Sequence, residues 1–276
     1  MSARARSLAA LLSTAALFGM VSPATAQTWT PLDGDRFGEE FTQAWIPVPD
    51  GSSGAPRQGW LGAPDGFFTR EVHLAYDWID TDLGDAHRIT TRFNYPLSRR
   101  FWVGVEVPFY QELDGGGSGF GDIGITGQVM LAESRDLSLN AGVGFELPTG
   151  DDSVGAGEVF GVTPQVNLWT DLGAGVSFRG RVAYSARDEG GADGFGLSLG
   201  LGQTVTPAEA APLGQFTYSL ALNWFEPDDG NGVVSLTPAL RTRLVDSLFL
   251  LTGVEFPISD DEPYDQRWII QLVKGF

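Results

Sequence analysis

The segment from Leu137 to Leu147 reads LSLNAGVGFEL, with apolar residues at every second position and Ser138, Asn140, Gly142, Gly144 and Glu146 between them. Successive side chains of a strand point to opposite faces, so this pattern dictates a strand with one apolar and one polar side. The same arrangement recurs. Phe195, Leu197, Leu199 and Leu201 alternate with Gly196, Ser198, Gly200 and Gly202. Phe216, Tyr218, Leu220, Leu222 and Trp224 alternate with Thr217, Ser219, Ala221 and Asn223. Val234, Leu236, Leu240 and Leu244 stand opposite Ser235, Thr237, Arg241 and Arg243. The polar set is too rich in glycine and charge to make a dry core, while the apolar set is larger and more continuous. Such an apolar face belongs in lipid, and strands cross a bilayer only in a closed barrel that pairs every backbone group. The expected fold is all-β, a transmembrane antiparallel outer-membrane β-barrel of about twelve strands.

The strands are expected near 69–79, 86–97, 100–111, 119–131, 136–148, 158–170, 174–187, 194–205, 214–225, 232–243, 247–258 and 264–276. Their connections fall into two classes. IDTDLGD, ELDGGGSGFG, TGDDSVGAGE, ARDEGGADG, EPDDGNG and ISDDEPYD are acidic and mostly long, whereas LSRR, AESRD, TDLG, VTPAEAAPLG and LVDS are shorter with one exception. Short periplasmic turns and longer outer loops orient the chain with an acidic outer rim. Aromatic residues gather toward strand ends, as interfacial girdles do. The last strand closes on Phe276, which resembles the terminal signature by which barrel assembly machinery recognises its clients, with Lys274 departing from that pattern.

Residues 1–26 carry Arg4 and Arg6, an apolar run from Leu8 to Met20 and small residues at Ala24 and Ala26, the pattern of a cleaved secretory signal. Residues 67–276 then form the barrel. Residues 27–66 are proline-rich and poorly periodic, and read either as a periplasmic extension or as a partial lumen plug, the partly ordered periplasmic segment being preferred. No apolar stretch of 18 residues follows the signal, which excludes membrane helices. The formal charge of −18 offers no basic footprint for nucleic acid, and with no cysteine there is neither a disulfide framework nor a thiolate metal site.

Gly119-Phe120-Gly121-Asp122-Ile123 opens the fourth expected strand, and Glu146-Leu147-Pro148-Thr149-Gly150-Asp151 closes the fifth. With the arginine-bearing strand that ends at Tyr184, this stretch resembles the family of outer-membrane transporters named after the meta-pathway of phenol degradation. The resemblance continues more weakly from Val72 to Phe276. It implies a small outer-membrane barrel of a Gram-negative bacterium and passage of hydrophobic or aromatic molecules. Physically, both motifs read as structural: glycines permit close backbone approach, and Pro148 suits a strand end.

Parity places Glu71, His73, Asp77, Arg88, Arg92, Glu106, Asp122, Glu146, Arg179, Arg181, Arg241, Arg243, Glu255 and Arg267 in the lumen. Arg92 is within reach of Glu106, and Glu255 lies between the strand of Arg241 and Arg243 and that of Arg267. These charges form either a neutralising network or a constriction that selects permeants, with Arg241 and Arg243 as the expected determinants of anion preference. Of the two histidines, His73 faces the lumen and His87 faces lipid, where Thr91 is no activated nucleophile, so no enzyme, cofactor or metal is expected. The function expected is passive passage of small, hydrophobic or aromatic solutes. The alternative is a sealed structural barrel whose acidic loops meet lipopolysaccharide or other partners.

Overall fold

The computed structural model describes residues 28–81, 84–111, 117–188, 192–259 and 263–276. The signal read at 1–26 and parts of four acidic connections, 82–83, 112–116, 189–191 and 260–262, lie outside the described residues. The chain forms one sheet from β1(Glu71–Thr81), β2(Gly84–Pro96), β3(Phe101–Gln111), β4(Gly119–Phe120), β5(Ile123–Ser134), β6(Leu137–Leu147), β7(Gly161–Gly173), β8(Val176–Arg187), β9(Gly194–Thr204), β10(Gly214–Pro227), β11(Val233–Val245), β12(Leu248–Pro257) and β13(Gln266–Gly275). Each strand pairs antiparallel with its sequence neighbour, and β1 closes the sheet on β13 from Glu71↔Gly275 to Asp80↔Gln266. The two-residue β4 and the long β5 both pair with β3, so they are one stave broken at Gly121 and Asp122. The wall is therefore a closed barrel of twelve antiparallel staves.

Burial is inverted relative to a water-soluble barrel. On β1, Val72, Leu74 and Tyr76 are 38%, 49% and 41% exposed, while Glu71, His73 and Asp77 are at most 1% exposed. On β13, Trp268, Ile270 and Leu272 face outward. An apolar exterior around polar, buried inward positions is the arrangement a hydrocarbon solvent requires. The short connections, including 135–136, 174–175 and 246–247, lie at the end of the barrel that also carries Glu71 and Gly275. That end is periplasmic by the rule of short periplasmic turns.

The break between β4 and β5 is held by the two glycine motifs acting on each other. Asp122 Oδ1 accepts from the backbone N–H groups of Thr149 and Gly150 at 2.9 Å and of Gly157 at 3.0 Å. In return, Asp151 Oδ2 accepts from Phe120 N–H at 2.7 Å and Thr149 Oγ1 accepts from Ile123 N–H at 3.0 Å. A Cβ on Gly150 would meet Gly121 C at 2.7 Å, so this closeness demands glycine. Asp122, placed in the lumen by parity, borders an inner cavity beside Glu106 and Glu146 while its carboxylate caps this loop. Asp122→Ala should release the amides of Gly150 and Gly157, leave Thr149 N–H with its second acceptor, Leu147 O, and cost about 1–3 kcal/mol. Hydrogen exchange at Gly150 and Gly157 should accelerate, and unchanged protection would reject the clasp.

The N-terminal segment lies partly below the short turns and partly among lumen side chains. A helical turn, Gly34–Arg36 running into Phe37–Glu40, presents Glu40 to the Arg100 guanidinium. Ser52 N–H and Oγ donate to Asp136 at 2.6 and 2.9 Å, and Ser53 does the same to Asp171 at 2.8 and 2.6 Å. The Ser52 backbone and side-chain bonds hold the Asp136 carboxyl below its ordinary value. Burial holds that of Asp50 above its own, against the pull of Arg241 and the Gln215 amide.

Residues 55–68 then run inside the wall, where they meet inward-facing residues of strands on every side. Phe67 and Ala55 pack on Trp169 of β7, and Phe68 packs on Trp102 of β3 and Met130 of β5. Leu61 packs among Ala239, Phe249, Leu251, Ile269 and Val273 of β11 to β13. Each large apolar side chain buried this way stabilises the arrangement by about 1.5–3 kcal/mol. The lower lumen is thus lined by apolar residues where the segment covers them.

Candidate functional site

Above the segment, the inward charges sort themselves into pairs along the strand registers. β1, β2 and β13 bring Asp77 between Arg88 and Arg267, with Arg88 Nε at 2.7 Å and Arg267 Nη2 at 3.1 Å. Arg267 Nη1 also donates to Glu255 at 3.3 Å, whose other oxygen accepts from Ser235 at 2.7 Å. Arg92 and Glu106 are directly paired across β2 and β3, and Arg92 Nε donates to Glu106 Oε2 at 2.8 Å. Arg187 Nε donates to Glu146 at 3.0 Å. Alternation alone aims these side chains inward, and antiparallel register supplies the partner that a desolvated charge requires.

One carboxylate of the two main cavities comes from outside the strands. Asp65, at the top of the lumen segment, accepts from Arg92 Nη1 at 2.8 Å. Because it sits in an aperiodic stretch, no parity argument reaches it. A cavity of about 430 Å³ opens beside it, lined by Arg92, Glu106, Gln128, Glu146 and Arg181. A second, of about 330 Å³, is lined by Trp60, Asp77, Arg88, Glu255 and Arg267 and shares Asp65, Arg92, Glu106 and Arg181 with the first. A third, of about 340 Å³, lies between Arg88, Glu106, Tyr110 and the connection carrying Val154 and Ala156. Together they make a charged vestibule whose floor is the segment around Asp65.

The remaining inward residues lie elsewhere. Glu71 is buried against His73 Nε2 at 3.0 Å, and His73 also meets Asn94 and Gln271. Arg179 donates to the carbonyls of Pro56 at 3.0 Å, Pro64 at 3.3 Å and Gln58, with its guanidinium 4.2 Å from the Trp60 ring. Arg241 is bonded to the Gln58 side chain and stacked 4.1 Å over Phe249. Arg243 donates to the carbonyls of Asp246 and Ala208 at the short-turn end. Glu71, Arg179, Arg241 and Arg243 line none of the three cavities: His73 engages Glu71, Gln58 engages Arg241, and segment or turn carbonyls take Arg179 and Arg243. Arg57 with Glu133, at 2.7 Å and both almost fully buried, adds an anchoring pair below the cavities.

His87 faces outward with Nδ1 2.7 Å from Tyr76 Oη, the two rings stacked at 6.0 Å. Among the described residues, no group of three His, Cys, Asp or Glu side chains could hold a metal ion. Phe276 stacks on Phe93 at 5.7 Å and on Tyr95 at 6.4 Å, beside Arg70, at the short-turn end.

The family model described as MetA-pathway of phenol degradation matches residues 68–232. No curated protein matches the sequence. Among solved structures, the KdgM porin in complex with disordered oligogalacturonate is similar at a TM-score of 0.57 and 11% identity, over 75% of this chain and 99% of that one. An outer membrane channel from Pseudomonas putida F1 is similar at 0.57 and 17% identity, over 76% and 96%. The NanC porin is similar at 0.56 and 9% identity, over 74% and 99%. At these identities the likeness is one of fold, a porin-like barrel.

Proposed function

The chain belongs to the MetA-pathway of phenol degradation family and is an outer-membrane β-barrel of a Gram-negative bacterium, and from that premise we propose that it is a passive channel for small molecules, gated by its own N-terminal segment. The observation that carries this reading is the vestibule floor. It is made of residues 60–65, which belong to no strand and are held by side-chain bonds and apolar contacts rather than by the ladder. Such a floor can yield while the wall stays closed, in the way a segment changes its order without the fold changing.

The vestibule cavities have the size of pockets that hold one small molecule. Their walls are polar and charged, which suits an aromatic or aliphatic solute carrying a polar group. The reading assigns no catalytic step to the chain and no cofactor. It gives Phe276 the role of the signal read by the assembly machinery, since its ring lies half exposed at the periplasmic rim. Lipopolysaccharide is the partner proposed for the outer, acidic rim.

The alternative, a sealed structural barrel, draws its support from the three apolar clusters that fasten the segment. Proteoliposomes decide between the two. The purified full chain should admit phenol and small aliphatic alcohols faster than empty liposomes and should show ionic conductance in planar bilayers. Neither flux nor conductance above the empty membrane would sink the channel and leave the scaffold.

A further inference from the structure

We propose that the vestibule floor is a binding subsite for a small organic carboxylate, received end-on by Arg181. The proposal deepens the channel reading and rests on it for its biological meaning, although the binding itself is measured independently of flux.

Arg181 lies on β8 directly opposite Asn167 of β7 and Ser198 of β9. Its Nε donates to Asn167 Oδ1 at 2.7 Å, and Asn167 Nδ2 in turn donates to Asn140 Oδ1 at 2.9 Å. The relay fixes the plane of the guanidinium and occupies only one of its five N–H groups. Among the described residues, no carboxylate approaches the Arg181 guanidinium within 4 Å, in contrast to Arg88, Arg92, Arg187 and Arg267. The two acids that both main cavities share, Asp65 and Glu106, are both engaged by Arg92.

The vacancy lies where the two main cavities meet, since Arg181 lines both. Thr126 and Gln165, which line the larger one, make no side-chain hydrogen bond to the described residues. The site therefore offers a charged planar fork with neutral donors beside it, in a cavity that opens upward and ends on the segment below. A planar carboxylate matches that fork with two parallel hydrogen bonds, which a neutral amide of the same shape cannot do. Arg179 has no carboxylate partner within ion-pair distance either, but the carbonyls of Pro56, Gln58 and Pro64 consume it. Among the described arginines that line these two cavities, Arg181 is the one left for a ligand.

The test is calorimetric titration of the full chain in detergent with benzoate, its neutral isostere benzamide, and inorganic phosphate. Benzoate is expected to bind, benzamide at least about tenfold more weakly, as the loss of one charge-assisted contact implies. Arg181→Gln should weaken benzoate by at least the same factor, Arg181→Lys should recover part of the loss, and Arg243→Gln, at the distant turn, should leave affinity unchanged. Equal affinities for benzoate and benzamide in the unaltered chain would overturn the proposal without reliance on any variant. So would unchanged benzoate binding in a folded Arg181→Gln, and phosphate binding as tight as benzoate would reduce the site to one for inorganic anions. Benzoate binding with no flux of any solute would instead defeat the channel and keep the subsite.

Discussion

Arg179→Met is expected to raise the open probability of the barrel in planar bilayers by roughly a hundredfold and to expose the segment near Pro56 to Pro64 to proteases. Arg179 reaches from β8 to three carbonyls of that segment, on Pro56, Gln58 and Pro64, and lies against the Trp60 and Phe67 rings. Methionine keeps most of the volume and the contact with both rings while removing every donor. Hydrogen bonds from a charged group contribute about 1.5–3 kcal/mol each and do not add fully when they share one side chain. Relief of a buried cation with no carboxylate partner offsets part of the loss. A net loosening of about 3 kcal/mol corresponds to the hundredfold stated. The wall itself should keep its thermal stability, because no ladder bond is touched. Conductance and cleavage patterns identical to those of the unaltered chain would show that Arg179 does not hold the floor.

The wall was legible because its physics repeats. A strand facing lipid on one side and water or protein on the other must alternate, and Leu137–Leu147 alternates from end to end. Strand ends fell within three residues of the expected positions, apart from the fourth stave, whose long part begins at Ile123 after the break. That break falls at Gly121 and Asp122: Gly121 N–H still donates to Pro108 O of β3, while the Asp122 carboxylate turns to the amides of the clasp.

Where alternation fails, the sequence carried a signal that the period-two reading passed over. Leu248-Phe249-Leu250-Leu251 and Trp268-Ile269-Ile270 are apolar on both faces. Phe249, Leu251 and Ile269 point inward and are covered by Leu61. A strand buried on both sides reads as a continuous apolar run. Inward apolar residues from the periplasmic end of β12 to the middle of β13 thus announce something that fills that part of the lumen. The Arg92 to Glu106 pair followed from register alone. Asp65, the third member of that cluster, did not, because an irregular segment offers no period from which to infer direction. The same gap separates Arg181 from Arg179 and Arg241: all three are inward by parity, and only the path of residues 55–68 decides which is left open to a solute.

Tying the floor to the wall should abolish passage. Ala63 lies beside Gly200 of β9, so close that a Cβ built on Gly200 would stand 2.8 Å from that of Ala63. A disulfide wants its Cβ atoms about 3.8 Å apart, so the pair Ala63→Cys and Gly200→Cys requires a retreat of about 1 Å by a segment that is not part of the ladder. The chain contains no cysteine of its own, so oxidation reports on this pair alone. Under oxidising conditions, flux of phenol into proteoliposomes should fall to the level of empty liposomes, and dithiothreitol should restore it. The single Gly200→Cys variant, which crowds the contact without closing it, should behave alike in both conditions. The relay from Arg181 through Asn167 to Asn140 is untouched in the locked protein, so benzoate should still bind at Arg181 even when nothing crosses. Undiminished flux in the oxidised double variant would mean that solutes pass without displacing the segment, and the route would then have to lie in the wall rather than through the floor.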